Sequence, residues 1–214
     1  MTFRLGITGG IGSGKSGVAG LLRVMGIPVY DCDSEARRLM NNSPSIRQGL
    51  IALVGPEVYI YKSSGVQALS SSGTPTLNRR LLADYMFGHA ERIAAVDAIV
   101  HPAVRDDFRQ WTARHASLPL VGMESAILFE AGMKDDVDAV VLVSTPLDER
   151  VQRTMARDGI TEQAVRARLA SQMTDEEKLP LADYVILNAE ADAITPQVMQ
   201  LIKRVTNDFL NVNS

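Results

Sequence analysis

The sequence predicts an α/β protein with a three-layer core, in which a parallel β-sheet is covered by helices on both faces. Short apolar, β-branched segments alternate with longer segments of helical periodicity, which is the pattern of successive strand–helix–strand units. The hydrophobic fraction of 46% over 214 residues is sufficient for a packed core of this kind. The predicted buried strands are Phe3–Thr8, Ile27–Tyr30, Leu118–Met123, Val137–Ser144 and Tyr184–Leu187.

The composition argues against several classes of protein. A net charge of −3 provides no bulk attraction for nucleic acid or for an anionic membrane surface. No apolar run approaches the ~20 residues that span a bilayer, and the first residues enter a strand without a signal-peptide pattern. The single cysteine, Cys32, excludes an intrachain disulfide. We therefore expect a cytoplasmic protein, a monomer or small homo-oligomer, without nucleic-acid or membrane partners.

A glycine-rich segment follows the first predicted strand and precedes a helical pattern. Residues 9–16 read Gly-Gly-Ile-Gly-Ser-Gly-Lys-Ser, which matches the phosphate-binding P-loop. Glycine allows the backbone N–H groups to approach phosphate oxygens, and the helix N-terminus adds partial positive charge. Lys15 is predicted to reach the β- and γ-phosphates of ATP, and the Ser16 hydroxyl to bind Mg²⁺. The residues of this loop predicted to bind the nucleotide are Gly12, Ser13, Gly14, Lys15, Ser16 and Gly17.

Two carboxylates follow the second predicted strand. Asp31 and Asp33 are two residues apart, so on an extended segment they point the same way, at the edge of the sheet where the P-loop lies. A carboxylate there can accept the proton of an attacking hydroxyl or help to position Mg²⁺. The alternative for Asp33 is to cap a helix over Ser34–Met40, which does not exclude catalysis.

The alternation stops between about Ser43 and His115, where the sequence predicts an inserted helical module. A polar segment over residues 62–75 leads into helical patterns, and His101-Pro102 is interpreted as a junction between two helices. The apolar stripes on either side of this junction consist of Ile93, Val96, Ile99 and Val100, and of Val104, Phe108 and Trp111.

Two acidic residues follow the third predicted strand. Glu124 ends the apolar run that begins at Leu120, which is the layout of a strand that presents an acid to a Mg²⁺-bound water. The alternative is that Glu124 only satisfies neighbouring backbone groups. The role of Glu130, in the loop that follows, stays open.

An arginine-rich pair of helices is predicted between Thr145 and Lys178. Thr145 is predicted to begin the first helix in a capping box, Gly159 to end it, Thr161 to cap the second helix and Thr174 to begin another. A mobile lid that brings arginines to the transferring phosphoryl group recurs in P-loop kinases, and the alternative is a solvated charged surface. The arginines are Arg150, Arg153, Arg157, Arg166 and Arg168. In the last helix, Thr195 is predicted to be the cap and Pro196 the first helical residue.

The sequence lacks the Asp-x-x-Gly and Asn/Thr-Lys-x-Asp motifs of GTPases, which favours a small-molecule kinase.

Six segments, in order along the chain, resemble the dephospho-coenzyme A kinase family. The patterns are the P-loop with its preceding strand, Asp-x-Asp-x-x-x-Arg, a His-Pro element, Leu-Leu-Phe-Glu, Arg-x-x-x-Arg-Asp-Gly and Ala-Asp-Tyr-Val-Ile-x-Asn. The matching segments are Leu5–Ser16, Asp31–Arg37, Ile99–Pro102, Ile127–Glu130, Arg153–Gly159 and Ala182–Asn188.

The resemblance implies a P-loop NTPase-type core with a helical lid and a helical domain on the coenzyme A side. The implied boundaries are 1–42, 117–145 and 179–214 for the core, 43–116 for the acceptor domain and 146–178 for the lid. Asp33 is implied as the general base toward the ribose 3′-hydroxyl, Arg153 as a lid arginine on the phosphates, and Asn188 as a residue near the adenine. The implied catalytic residues are thus Asp33, Lys15 and Arg153.

The sequence departs from the family pattern in three places. Gly17 stands where the family has Thr or Ser, which we expect to be harmless because Ser16 supplies the hydroxyl. Ala126 replaces a proline, and residues 56–76 resemble little, so acceptor contacts are not assigned there.

The reaction implied by the resemblance is phosphoryl transfer from ATP, with Mg²⁺, to dephospho-coenzyme A. Two alternatives share part of this sequence pattern. A nucleoside or nucleotide kinase has the same P-loop, acid and lid, and a regulatory ATP-binding module would use the helical insertion to bind a protein partner.

Overall fold

The computed structural model describes residues 2–61 and 75–212, with side chains up to Asn207, and it has the predicted parallel α/β architecture. The elements run in the order β1 (Phe3–Thr8), α1 (Lys15–Val24), β2 (Val29–Asp31), α2 (Cys32–Asn42), α3 (Pro44–Val54), β3 (Tyr59–Tyr61), β4 (Pro75–Leu77), α4 (Arg79–Met86), α5 (Ala90–Arg114), β5 (Leu120–Glu124), β6 (Ala139–Ser144), α6 (Leu147–Asp158), α7 (Glu162–Leu169), α8 (Asp175–Lys178), β7 (Tyr184–Leu187) and α9 (Ile194–Val212). Short 3₁₀ turns lie at Pro56–Val58, Met133–Asp136 and Leu179–Leu181.

The central sheet has five parallel strands in the order β2-β5-β1-β6-β7. Each predicted core strand is present, with boundaries that shift by up to two residues. The second strand begins at Val29 instead of Ile27, because the Ile27 N–H still bonds the Leu22 carbonyl of α1. The carboxyl ends of β1, β2, β5, β6 and β7 therefore share one edge, and the P-loop leaves the middle strand at that edge.

The core lies on both faces of this sheet. On one face α1 and α9 pack against the strands through buried aliphatic residues, among them Leu22, Val141 and Val198. Successive side chains of a strand point to opposite faces, and Tyr30, next to Val29 on β2, packs edge-on against Phe108 and Trp111 of α5. Helices thus cover both faces, as the three-layer prediction requires.

The described chain forms two compact units, one of residues 1–32 and 108–214 and the other of residues 33–107. The second unit contains α3, α4 and most of α2 and α5. It also contains an antiparallel hairpin of β3 and β4, which the sequence did not predict because each strand has only three residues. The predicted polar segment 62–75 lies outside the described residues except for Pro75. The functional domain boundaries given above stay a prediction.

Three local predictions are wrong. Helix α5 runs without a break through His101 and Pro102, because its apolar stripe stays buried on both sides, from Val96 to Phe108. Thr145 does not cap α6, since its hydroxyl bonds the P-loop backbone instead. Helix α9 begins at Ile194, which places Thr195 and Pro196 inside its first turn.

Other predicted helix ends are confirmed. Thr161 caps α7, and Thr174 forms a capping box with Glu177 at the start of α8. Gly159 ends α6 in the left-handed conformation. In the part of the chain that is described, no helix combines the length and the apolar composition that crossing a membrane requires.

Candidate active site

The P-loop joins β1 to α1 and is shaped by left-handed glycines. Gly12 has φ +78° and Gly14 has φ +86°, a region that residues with a side chain rarely adopt. Gly14 is also the N-cap of α1, and a Cβ there would lie 2.1 Å from the Asn188 side-chain nitrogen. The loop needs glycine at this position both for its backbone conformation and for the close approach of Asn188.

Ser16 and Glu124 are joined directly at the carboxyl edge of the sheet. The Ser16 hydroxyl donates to Glu124 Oε1 at 2.6 Å, and the Glu124 residue is 6% exposed. Asp31 on β2 lies beside Glu124, its register partner on β5. The alternative predicted for Glu124 was that it only bonds neighbouring backbone groups. In the structure its side chain instead accepts from the hydroxyl of Ser16, the predicted metal ligand.

These oxygen groups fit a magnesium site. Mg²⁺ prefers oxygen ligands and, in phosphate-binding sites, takes only one or two of them from the protein. A serine hydroxyl that donates its proton to a carboxylate keeps lone pairs on its oxygen for a cation. The hydrogen bond to Glu124 therefore leaves the Ser16 oxygen able to accept a cation, and its role as a Mg²⁺ ligand stays a prediction.

Side chains from the ends of β6 and β7 hold the other side of the P-loop. The Asn188 amide donates to the Ser13 carbonyl at 2.8 Å, and the Thr145 hydroxyl lies 2.9 Å from the same oxygen. The structure thus brings the predicted residues Asn188, Ser13 and Gly14 together. Thr145 was missed as a P-loop contact, because at the start of a helix the sequence pattern favoured a cap.

The five arginines of the predicted lid have different environments. Arg153 donates to the Asn188 backbone carbonyl and to Glu149, both at 2.9 Å, so it lies beside the Asn188 loop. Arg150 is 5% exposed and contacts the P-loop, a role that the sequence did not single out. The prediction that a mobile lid brings arginines to the transferring phosphoryl group stays a prediction.

The remaining three arginines form ion pairs on the surface. Arg166 pairs with Glu162, and Arg157 and Arg168 both contact Asp158. The hydrogen bond from Arg157, with attraction from Arg157 and Arg168, holds the pKa of Asp158 below its ordinary value. These exposed pairs correspond to the alternative of a solvated charged face, and they contribute little to stability.

The Glu130 carboxylate forms an ion pair and accepts a backbone hydrogen bond. It lies 3.1 Å from the fully buried Lys178 ammonium, which also donates to the Ala126 carbonyl, and it accepts from the Met173 N–H at 2.9 Å. Removing one partner of such a pair leaves a buried charge without compensation. Glu130 thus connects the loop after β5 to the segment that leads from α7 to α8.

Asp33 is an exposed residue in the first turn of α2, which begins at Cys32. The helix therefore starts one residue before Asp33, so the alternative that Asp33 is the N-cap is wrong. Asp33 is the first residue of the second compact unit, directly after Asp31 and Cys32 at the carboxyl end of β2. Its catalytic role stays a prediction.

The family model and the curated relatives that match this chain name the same family. The family model described as dephospho-CoA kinase matches residues 3–193. A dephospho-CoA kinase from Bacteroides fragilis (strain YCH46) is 44% identical over 202 residues, covering 94% of this chain and 92% of the relative. The crystal structure of TT1252 from Thermus thermophilus is 37% identical with a TM-score of 0.77, covering 97% of each chain. The dephospho-CoA kinase from Campylobacter jejuni, at 21% identity and a TM-score of 0.65, shares the fold over 97% of this chain and 99% of its own.

Proposed function

This chain belongs to the dephospho-coenzyme A kinase family, and from that premise we propose how its residues perform the reaction. The protein is an ATP-dependent kinase that phosphorylates dephospho-coenzyme A, which completes the synthesis of coenzyme A. The observation that carries the assignment is the P-loop, with its Ser16–Glu124 pair and its Asn188 contact, in a chain that matches the family along most of its length.

The proposed acceptor atom is the ribose 3′-oxygen of dephospho-coenzyme A. Asp33 accepts the proton of this hydroxyl as the new O–P bond forms, and the bond from the γ-phosphorus to the β,γ-bridging oxygen breaks. Lys15 lies on the β- and γ-phosphates and offsets the charge that develops on them. The support for Asp33 is its place directly after the end of β2 and its match to the family's Asp-x-Asp element.

Mg²⁺ is the proposed metal, with Ser16 as its protein ligand. The support is the hydrogen bond to Glu124, which orients the hydroxyl oxygen. When bound, the metal would neutralise part of the charge on the phosphates of ATP.

Asn188 and Arg153 are proposed to form the nucleotide side of the site. The family resemblance supports Asn188 as a residue near the adenine, and its close approach to Gly14 and its bond from Arg153 are consistent with a place on the nucleotide side. Residues 43–116 are proposed to hold the acceptor and residues 146–178 to act as the lid. We place the enzyme in the cytoplasm as a monomer or small homo-oligomer, without nucleic-acid or membrane partners.

The acceptor separates this function from its alternatives. We expect rapid ADP formation with dephospho-coenzyme A, and only slow formation with adenosine, with a nucleoside monophosphate or without acceptor, because the acceptor domain must place the hydroxyl in line with the phosphoryl group. A coupled assay of ADP release over these four conditions measures it. Equal turnover with a nucleoside monophosphate would indicate a nucleotide kinase. Slow hydrolysis that no acceptor accelerates would indicate a regulatory ATP-binding module.

A further inference from the structure

The peptide groups of Ile11, at the tip of the P-loop, are held by side chains from two separate segments. The Ile11 N–H donates to Gln172 Oε1 at 3.0 Å, and the Ile11 carbonyl accepts from Arg150 Nε at 3.1 Å. Arg150 belongs to α6, and Gln172 lies in the connection from α7 to α8. We call the three residues the Ile11 clasp. It fixes both polar groups of one loop residue to the predicted lid.

Arg150 is itself held rigidly. Its Nη1 donates to Asp175 at 3.0 Å, and the other Asp175 oxygen accepts from Ser144 at the end of β6 at 2.7 Å. The Arg150 side chain is only 6% exposed, so its position is set by packing and by the ion pair together. The guanidinium therefore reaches Ile11 from a fixed point at the edge of the sheet.

The glycines on either side of Ile11 fit this arrangement. A Cβ at Gly10 would lie 1.7 Å from Arg150 Nη2, and a Cβ at Gly12 would lie 2.4 Å from the Arg150 carbonyl oxygen. The first clash involves the end of the guanidinium, which Asp175 holds, and the second involves backbone. Both positions thus require glycine because Arg150 packs directly against the loop.

We propose that Arg150 and Gln172 are positioning residues that orient the two peptide groups on either side of the Ile11 Cα and so preform the P-loop for the phosphates of ATP. A peptide without such partners can rotate and turn its carbonyl oxygen toward the phosphates, where it repels them. Holding these two adjacent peptide groups, one by its N–H and the other by its carbonyl, prevents this rotation before ATP binds, which is preorganisation of the site. The inference rests on the proposed role of the P-loop as the ATP site.

The Gln172→Met variant tests this inference. Methionine keeps the length of the side chain but provides only a weak acceptor for the Ile11 N–H. We expect the KM for ATP and the directly measured dissociation constant for ATP to rise about tenfold, the usual effect of leaving one partly buried donor unpaired. The KM for dephospho-coenzyme A is expected to stay unchanged. Gln163→Met, the same substitution at an exposed position of α7, is the matched control.

The outcomes of this test are distinct. Loss of folded protein would lower the apparent kcat and leave both KM values unchanged, and that result would overturn the inference. A dissociation constant for ATP within twofold of the wild-type value, or an equal rise in both KM values, would also overturn it. If wild-type protein and Gln163→Met failed to turn over dephospho-coenzyme A, the proposed function would fail, while ATP binding would still test the clasp.

A double-mutant cycle adds an independent test. Arg150→Lys keeps a positive charge beside Asp175 but removes the Nε donor to the Ile11 carbonyl. Because both bonds hold the backbone of the same residue through adjacent peptide groups, we expect the double variant with Gln172→Met to weaken ATP binding by less than the product of the two single effects. Effects that multiply independently would contradict the clasp acting as one unit.

Discussion

The Asp33→Asn variant is expected to lose about 10²–10⁴-fold in kcat, the usual contribution of a general base. Asparagine has nearly the same size as aspartate but cannot accept the proton of the ribose hydroxyl. Stability is expected to fall by only about 0.3–1 kcal/mol, because the charge of Asp33 in the first turn of α2 interacts favourably with the helix dipole. ATP binding is expected to survive, since Lys15, Ser16 and the loop glycines are unchanged. Steady-state kinetics and thermal unfolding measure the two effects separately.

The control for Asp33 is the same substitution at Asp135. Asp135 is exposed and precedes β6, so it lies at the amino edge of the sheet, opposite to the P-loop. The turnover of the Asp135→Asn variant is expected to match that of the wild type. Near-normal turnover of Asp33→Asn would remove Asp33 from catalysis, and Asp31→Asn would then be the next variant to measure.

The Arg153→Ala variant is expected to lower kcat about 10²-fold, with a smaller effect on the KM for ATP. Removing one preorganised charged donor from a phosphoryl-transfer site has a cost of this order, because the interaction strengthens as negative charge develops. The bonds of Arg153 to the Asn188 carbonyl and to Glu149 keep its guanidinium beside the Asn188 loop, from which we expect it to reach the phosphates. Kinetics under saturating dephospho-coenzyme A measure the effect.

Arg166→Ala is the matched control, because Arg166 pairs with Glu162 on the exposed face of α7. If the two variants had indistinguishable kinetics, Arg153 would belong to the solvated charged surface and would have no role on the phosphoryl group. A raised KM for ATP with unchanged kcat would assign Arg153 to ground-state binding beside Asn188, which contradicts its role on the transferring phosphoryl group.

Local signals explain what the sequence predicted correctly. The core strands are short runs of buried, β-branched residues, and the P-loop is recognisable because its glycines fix the backbone conformation within eight residues. Asp31 could be placed at the edge of the P-loop because the carboxyl ends of parallel strands meet there. These features depend on neighbours along the chain or on the general geometry of parallel sheets.

The missed contacts depend on partners that are distant in sequence. Thr145 bonds Ser13 across 132 positions, Arg150 bonds Ile11 across 139, and Gln172 bonds Ile11 across 161. In each case the partner is a backbone atom, so no complementary side chain marks the contact in the sequence. Thr145 matched a capping pattern, and Arg150 resembled its exposed neighbours on the same helix. Gln172 carries no local signal of any kind.

The error at Pro102 has a different physical origin. A proline inside a helix removes one hydrogen bond and usually marks a break. In α5 the buried residues Val96, Val100, Val104 and Phe108 continue one stripe through the proline, and their burial outweighs the lost bond. The stripe was visible in the sequence, but its continuity could be weighed against the proline only once its burial was known.

The position of the new phosphate on the product tests the central claim most directly. Phosphorus–proton correlated NMR of the compound formed from ATP and dephospho-coenzyme A identifies the ribose carbon that carries the phosphate. We predict a single product in which the phosphorus couples to the ribose 3′ proton and which co-migrates with coenzyme A. A phosphate on the ribose 2′-oxygen, on the pantetheine arm or extending the diphosphate would contradict the proposed acceptor atom, and the assignment of Asp33 as its general base would fail with it.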